Sequence, residues 1–198
     1  MFKINTDINN IWFSSDHHFN HINILKYENR PFSSIEEHDS ALIENWNKNV
    51  KNTDIVFYAG DIYLGNNKDY LRKILYSLNG KIYYVFGNHD TLVRKDILTQ
   101  ERFQTHGDYL EISINKKYNI TISHYAMKVW NKRHYGSWSL YGHSHGNLGE
   151  DDSRSMDIGI DAVYKRLGQK IENYRPINFN EVHEIMKTRE NKPVDHHI

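Results

Sequence analysis

Cysteine is absent from all 198 residues, which excludes disulfides, thiolate metal sites and cysteine nucleophiles and leaves the redox compartment open. Proline is scarce as well: only Pro31, Pro176 and Pro193 punctuate the chain, with no linker or low-complexity segment between residues 1 and 190. No apolar run approaches the roughly 18 residues that a membrane span needs. The opening MFKINTDINNIWF lacks the apolar stretch and small-residue cleavage site of a secretory leader, so a cytoplasmic protein without membrane contact is expected. Net charge is missing too, because 25 Lys plus Arg balance 25 Asp plus Glu. Without a global field, nothing draws the chain to a nucleic-acid polymer or an anionic membrane, and any polyanion specificity must be local.

What is abundant is histidine. Thirteen histidines without cysteine point to metal ligation by nitrogen and oxygen. The length suits one domain, read as residues 1–190 followed by a polar tail, NKPVDHHI, at 191–198. Short β-branched and aromatic runs stop abruptly at polar residues: IWFSSD (11–16), DIVFYAGD (54–61), KIYYVFGNHD (81–90), NITISH (119–124) and WSLYGHSH (138–145). Helical spacing lies between the first three, over 34–50 (Ala41, Leu42, Trp46) and 66–79 (Leu71, Ile74, Leu75, Leu78). That alternation predicts right-handed βαβ units with parallel strands. Beyond about residue 105 the signals become closely spaced strands (109–114, 119–124, 138–142, 155–160), which predicts an antiparallel or mixed second sheet and hence a two-sheet α/β sandwich.

Functional groups collect beyond the carboxyl ends of strands in open α/β sheets, and each polar cluster falls there. Asp16 and His18 are two apart; on an extended strand they project to the same side, so one metal can take both. Asp61 follows Gly60 and has two oxygens with which to bridge two cations. Asn88 offers a neutral oxygen after Gly87, where glycine permits a close turn. His124 ends another strand, and His143 with His145 follow Gly142 at a spacing that lets each reach a different metal. Two ions roughly 3.5–4 Å apart acidify a bridging water and stabilise the attacking and leaving oxygens of a phosphoryl displacement. The leaving group still needs a proton, and His89 is placed to give it. Asp90 either orients His89 or makes a structural turn contact.

The set D-x-H, G-D, G-N-H-D, H and G-H-x-H from Asp16 to His145 resembles the calcineurin-like metallophosphoesterase family. The resemblance implies an α/β/β/α sandwich with one metal at Asp16, His18, Asp61 and His145. It puts a second at Asp61, Asn88, His124 and His143, and makes His89 the acid. The segments FNHINILKYENRPF (19–32) and YRPI (174–177) further resemble small bacterial and phage members. Two divalent transition ions are the implied cofactor, manganese foremost, with iron, zinc or nickel admitted by the same donors.

Family members that act on phosphoproteins carry arginines after G-D and before G-N-H, where this chain has IYLG and Phe86. The expected substrate is therefore a small phosphodiester, nucleotide-like or otherwise; a phosphomonoester is the alternative, and a non-catalytic metal-binding interaction module is the reading from another class. Candidate substrate contacts are Arg30, Arg133, His134 and His21. The run 128–138 lies between His124 and His143 and is expected to pass near the centre, with Trp130, Tyr135 and Trp138 as candidate stacking rings. His17, His38, His106, His183, His196 and His197 read as ordinary surface or core histidines.

Overall fold

The structure is a computed structural model that describes residues 1–149 and 153–191; residues 192–198 of the tail, with His196 and His197, lie outside the described residues. In chain order the first elements are β1 (Phe2–Ile4), β2 (Ile11–Ser14), α1 (Ile24–Tyr27), α2 (Ile35–Asn49), β3 (Ile55–Tyr58), α3 (Lys68–Ser77) and β4 (Lys81–Val85). Then follow α4 (Thr91–Lys95), α5 (Ile97–Gln100), β5 (Phe103–Gly107), β6 (Tyr109–Ile114), β7 (Tyr118–Ser123) and β8 (Trp138–Tyr141). The last are β9 (Ser155–Asp157), α6 (Ile160–Arg166), β10 (Ile177–Asn178) and α7 (Phe179–Lys187).

One sheet has the order β10-β2-β3-β4-β5, the other β1-β6-β7-β8-β9. As the βαβ reading required, β2, β3 and β4 pair in parallel. The second sheet is mixed, with β6 and β7 antiparallel but β7, β8 and β9 parallel. Alternation along the first sheet explains the layering. Ile11, Phe13, Phe57 and Val85 face a core shared with Ile112, Ile122 and Leu140 of the second sheet. Val56, Tyr58, Ile82 and Tyr84 face outward onto Trp46, Leu71 and Leu75 of α2 and α3. Both faces are therefore apolar, and the strands read as nearly continuous hydrophobic runs.

Helices α2, α3 and α7 start where side chains satisfy their free amides. Ser34 accepts from the Glu37 amide at 3.1 Å to cap α2, Asn67 caps α3, and Asn178 with Glu181 forms a capping box on α7. The α/β sandwich expected from the sequence is thus the observed architecture. No helix among the described residues is long and apolar enough to cross a membrane.

Candidate metal centre

Each strand stops earlier than its apolar run predicts, and the polar residues lie in the turns beyond. β2 ends at Ser14 and β3 at Tyr58, so Asp16, His18 and Asp61 are not on extended backbone. Their φ angles are 59°, 53° and 59°, and those of His143 and His145 are 67° and 49°. The proximity of Asp16 and His18 thus comes from left-handed turns, not from alternation along a strand. Asp and His tolerate this region better than most residues, at a cost of roughly 1–3 kcal/mol each. Surrounding hydrogen bonds hold the turns: Arg30 donates to the carbonyls of Asp16 and His17, each at 2.7 Å. The Asp90 carboxylate accepts from the amides of Asp61 (3.0 Å), Ile62 (3.3 Å) and Gly87 (2.6 Å). Of the two roles expected for Asp90, the turn contact is the one that these hydrogen bonds make.

The motif glycines admit the ligands. A Cβ on Gly87 would stand 2.1 Å from Asp61 Oδ1, and one on Gly142 would stand 2.0 Å from Ser15 Oγ and 2.6 Å from Asp16 Oδ2. Only a residue without a side chain lets these turns close over the carboxylates.

Two groups that could each hold a metal ion result: Asp16, His18 and His145 in one, Asp61, His124 and His143 in the other, with the donor atoms of each group within 4.8 Å of one another. Asp61 lies between them, its Oδ2 3.9 Å from His18 Nε2 and 3.4 Å from His124 Nε2. Asn88 Oδ1 is 2.8 Å from His124 Nε2. His124 Nδ1 lies 2.8 Å from the Ala59 carbonyl; a carbonyl only accepts, so Nδ1 carries the proton and Nε2 faces the centre. His145 Nδ1 is 2.7 Å from Asp161 Oδ2, and the His143 amide donates to Asp16 Oδ2 at 2.9 Å.

A pair of cations fits this donor set. Asp16 Oδ1 and both ring nitrogens of His18 are buried and have no hydrogen-bond partner among the described residues, which native interiors rarely tolerate. Burial pushes the Asp16 carboxyl up to about 7, with His145 and His124 offsetting only part of the effect. Burial, aided by Arg30 and His145, holds His18 well below the usual imidazole range, neutral as a ligand must be. Burial opposes the charge on His124 as well, but the Asp61 and Asp16 carboxylates outweigh it and raise His124 to about 9. Carboxylate and imidazole donors together suit divalent transition ions.

The remaining candidates divide. His89 is exposed, with its ring centroid 5.5 Å from that of His18. His21 is half-buried beside His18 and Tyr27, with ring centroids 5.4 and 6.1 Å away. Arg30 is not a substrate contact: its guanidinium is buried and bonded to Asp161, His38 and two backbone carbonyls. Arg133 and His134 lie away from the centre because β7 and β8 are parallel, with Ile120 opposite Trp138 and Ser123 opposite Tyr141. The connection must therefore run back from the ligand-bearing end of β7 to the opposite end, where β8 begins. Arg133 is spent inside that connection, bonded to the Lys128 carbonyl and 4.6 Å over the Trp130 ring, and the His134 ring packs 4.0 Å from that of Tyr135. The start of the connection, before residue 128, stays near the ligands. Tyr125, which sequence reasoning passed over although it adjoins His124, packs 4.6 Å from the His143 ring and 5.1 Å from that of His124.

The histidines read as ordinary behave so where they are described. His17 is buried among Phe19, Trp46 and Tyr58, and His38 is satisfied by Arg30 and Asp39. His183 packs among Tyr118, Trp138 and Phe179, and His106 is exposed on β5.

Comparison with known proteins agrees with this geometry. A family model described as calcineurin-like phosphoesterase matches residues 10–185. The uncharacterized protein MJ1445 of Methanocaldococcus jannaschii is 30% identical over 177 residues, covering 86% of this chain and 87% of its own. The Gene 66 proteins of the mycobacterium phages D29 and L5 are each 25% identical, over 78% and 86% of this chain and 89% and 95% of their own. A crystal structure of the protein of unknown function AQ665 from Aquifex aeolicus shares the fold, with a TM-score of 0.66 at 22% identity over 88% of this chain and 98% of that one.

Proposed function

The chain belongs to the calcineurin-like phosphoesterase family and is a metal-dependent phosphoesterase; from that premise we propose that it is a phosphodiesterase acting on a small, nucleotide-like diester. Asp16, His18, Asp61 and His145 would hold one ion, and Asp61, Asn88, His124 and His143 the other. The observation that carries the ligand reading is the position of Asp61 Oδ2 between His18 and His124, where one carboxylate serves both groups. When bound, two divalent ions make hydroxide available near neutral pH and neutralise the charge of the phosphoryl group; manganese is the first candidate. Both sheets contribute ligands, so residues 1–190 act as one domain.

The chain's own residues do the rest. His89 stands at the wall of a cavity of about 450 Å³ and donates a proton to the departing oxygen. A second cavity, about 320 Å³, lies on the other side of Asn88 against His124, Tyr125, Met127 and Phe86. A diester carries a substituent on each side of phosphorus and can use both cavities, whereas a monoester fills one. Tyr125 offers a nucleobase a stacking face, and Lys95 in the first cavity offers a cation to a second anionic group. His21 is the substrate contact that its position beside His18 and His89 leaves available. Phe86 is buried and apolar at the position before G-N-H where phosphoprotein-directed family members carry arginine, and the stretch IYLG after G-D has none, which argues against a phosphoprotein.

Turnover of matched aryl phosphate mono- and diesters by manganese-loaded protein tests this reading. The diester is expected to react faster. Faster monoester hydrolysis would replace the diester by a monoester substrate, and no turnover of any phosphoester by protein carrying two ions would make the chain a metal-binding interaction module.

A further inference from the structure

Arg30 and Asp161 are absent from the ligand motifs, yet they form a fully bonded buried pair in contact with the centre. The Arg30 side chain is 0% and the Asp161 side chain 2% exposed. Arg30 Nε donates to Asp161 Oδ1 at 2.9 Å and one terminal nitrogen donates to Oδ2 at 2.7 Å, the two-pronged geometry that gives arginine–carboxylate pairs their directional strength. The remaining N–H groups reach the carbonyls of Asp16 and His17, each at 2.7 Å, and His38 Nε2 at 2.9 Å. Guanidinium has five N–H groups and no acceptor, so every donor is used and His38 Nε2 must be the acceptor. The His38 proton then sits on Nδ1, which faces Asp39 Oδ1 at 2.8 Å.

Asp161 Oδ2 makes one more contact, to His145 Nδ1 at 2.7 Å. Both oxygens of Asp161 already accept from a guanidinium that only donates, so Asp161 faces His145 as an acceptor too, which requires a proton on His145 Nδ1 and leaves Nε2 for a metal. Glu28, His145 and Asp161 also approach one another closely enough for a cation, but the Arg30 guanidinium already occupies both oxygens of Asp161.

We propose that Arg30 and Asp161 are positioning residues: Asp161 selects the nitrogen that His145 offers to its ion, while Arg30 fixes Asp161 and the Asp16–His18 turn in one unit. The proposal rests on the reading of His145 as a ligand and is independent of which ester is cut. It differs from a merely structural ion pair in its reach, because one guanidinium ties α6, the turn after β2 and a ligand histidine together. Metal-bound histidines commonly depend on such a partner, whose loss weakens metal affinity by about 10–100-fold.

The test is Asp161→Asn. With its oxygen on Arg30, the new amide would present N–H to His145 Nδ1, force that nitrogen to accept and move the proton to Nε2. Calorimetric titration of metal-free protein with manganese should show two sites in the wild type. In the variant, one site should be about 10–100-fold weaker and the other unchanged. Two sites of wild-type affinity in the variant, or equal weakening of both, would overturn the proposal. Should the variant fail to fold, wild-type protein labelled with ¹⁵N-histidine and loaded with ¹¹³Cd decides the matter. Coupling of cadmium to His145 Nε2 with a protonated Nδ1 supports the assignment, and coupling to Nδ1 overturns it. Wild-type protein that bound neither ion would overturn the ligand reading itself, and this proposal with it.

Discussion

His89 and Asp61 are joined by the His89 amide and Asp61 Oδ1 at 2.8 Å, yet their loss should differ in kind. With its remaining oxygen on the His89 amide, Asp61→Asn removes the carboxylate charge and places an amide nitrogen at Oδ2, which both His18 and His124 approach. Metal content after gel filtration should fall below two ions per chain, and activity with it. His89→Ala leaves the ligands in place, so metal content should stay at the wild-type value. Its cost should depend on the leaving group, because an alkoxide needs a proton as its bond to phosphorus breaks and an activated phenolate does not. Alkyl esters should lose roughly 10²–10⁴-fold in turnover, the usual contribution of a general acid, and nitrophenyl esters far less. His106→Ala is the control: the residue is exposed on β5 against Phe86 and should change neither quantity. An equal loss for alkyl and nitrophenyl esters in His89→Ala would remove His89 from the acid's role.

At the scale of elements, the site is made where strands end, and its tightest point is Gly142 at the close of β8. A Cβ there meets Ser15 Oγ and Asp16 Oδ2, atoms already fixed by the Ala59 carbonyl and the His143 amide. Gly142→Ala should therefore cost about 1–3 kcal/mol, the range for overpacking a close-packed site, read as a lowered urea midpoint. It should also weaken metal binding by displacing Asp16; an unchanged midpoint would mean that the two sheets are not so tightly apposed. The strands, α2, α3 and the strand-end ligand clusters were legible in the sequence because apolar runs bounded by polar residues are local signals. What escaped was non-local. Nothing in D-x-H announces that Asp16 and His18 meet through left-handed turns, since φ depends on the bonds that Arg30 makes to their backbone. Arg133 looked close to the centre because it lies between two ligands in sequence, but the parallel pairing of β7 and β8 carries it to the other end of the sheet. Arg30 looked like a phosphate contact because a lone arginine near a motif carries no mark of burial, and its partner Asp161 lies 131 residues away.

For the molecule as a whole, the centre couples metal, protons and stability. Without cations the folded chain holds a proton on Asp16 more tightly than the unfolded one, its carboxyl rising from 3.8 to about 7. That contribution to stability is complete below 3.8 and lost as pH rises through about 7. His124, raised from 6.5 to about 9, contributes below 6.5 and loses its share as pH rises through about 9. His18 acts in the opposite sense: its depressed folded value gives stability above 6.5 that is lost as pH falls. The stability curve of metal-free protein alone therefore mixes opposing slopes, and the difference between loaded and metal-free protein separates them. On the proposed ligand set divalent ions would bind the deprotonated forms of Asp16 and His124, so protons would compete with metal at low pH and release it less readily as pH rises. At about 100 times the dissociation constant, an ion that binds only the folded state adds about 2.7 kcal/mol. For a domain of this size that is a rise of about 5–10 °C in Tm. Calorimetric scans of metal-free and manganese-loaded protein should show a gain of that order near pH 8 and a much smaller one near pH 5. A gain that was the same at both, or larger in acid, would mean that Asp16 and His124 do not exchange protons for metal, and would take these two residues out of the ligand set.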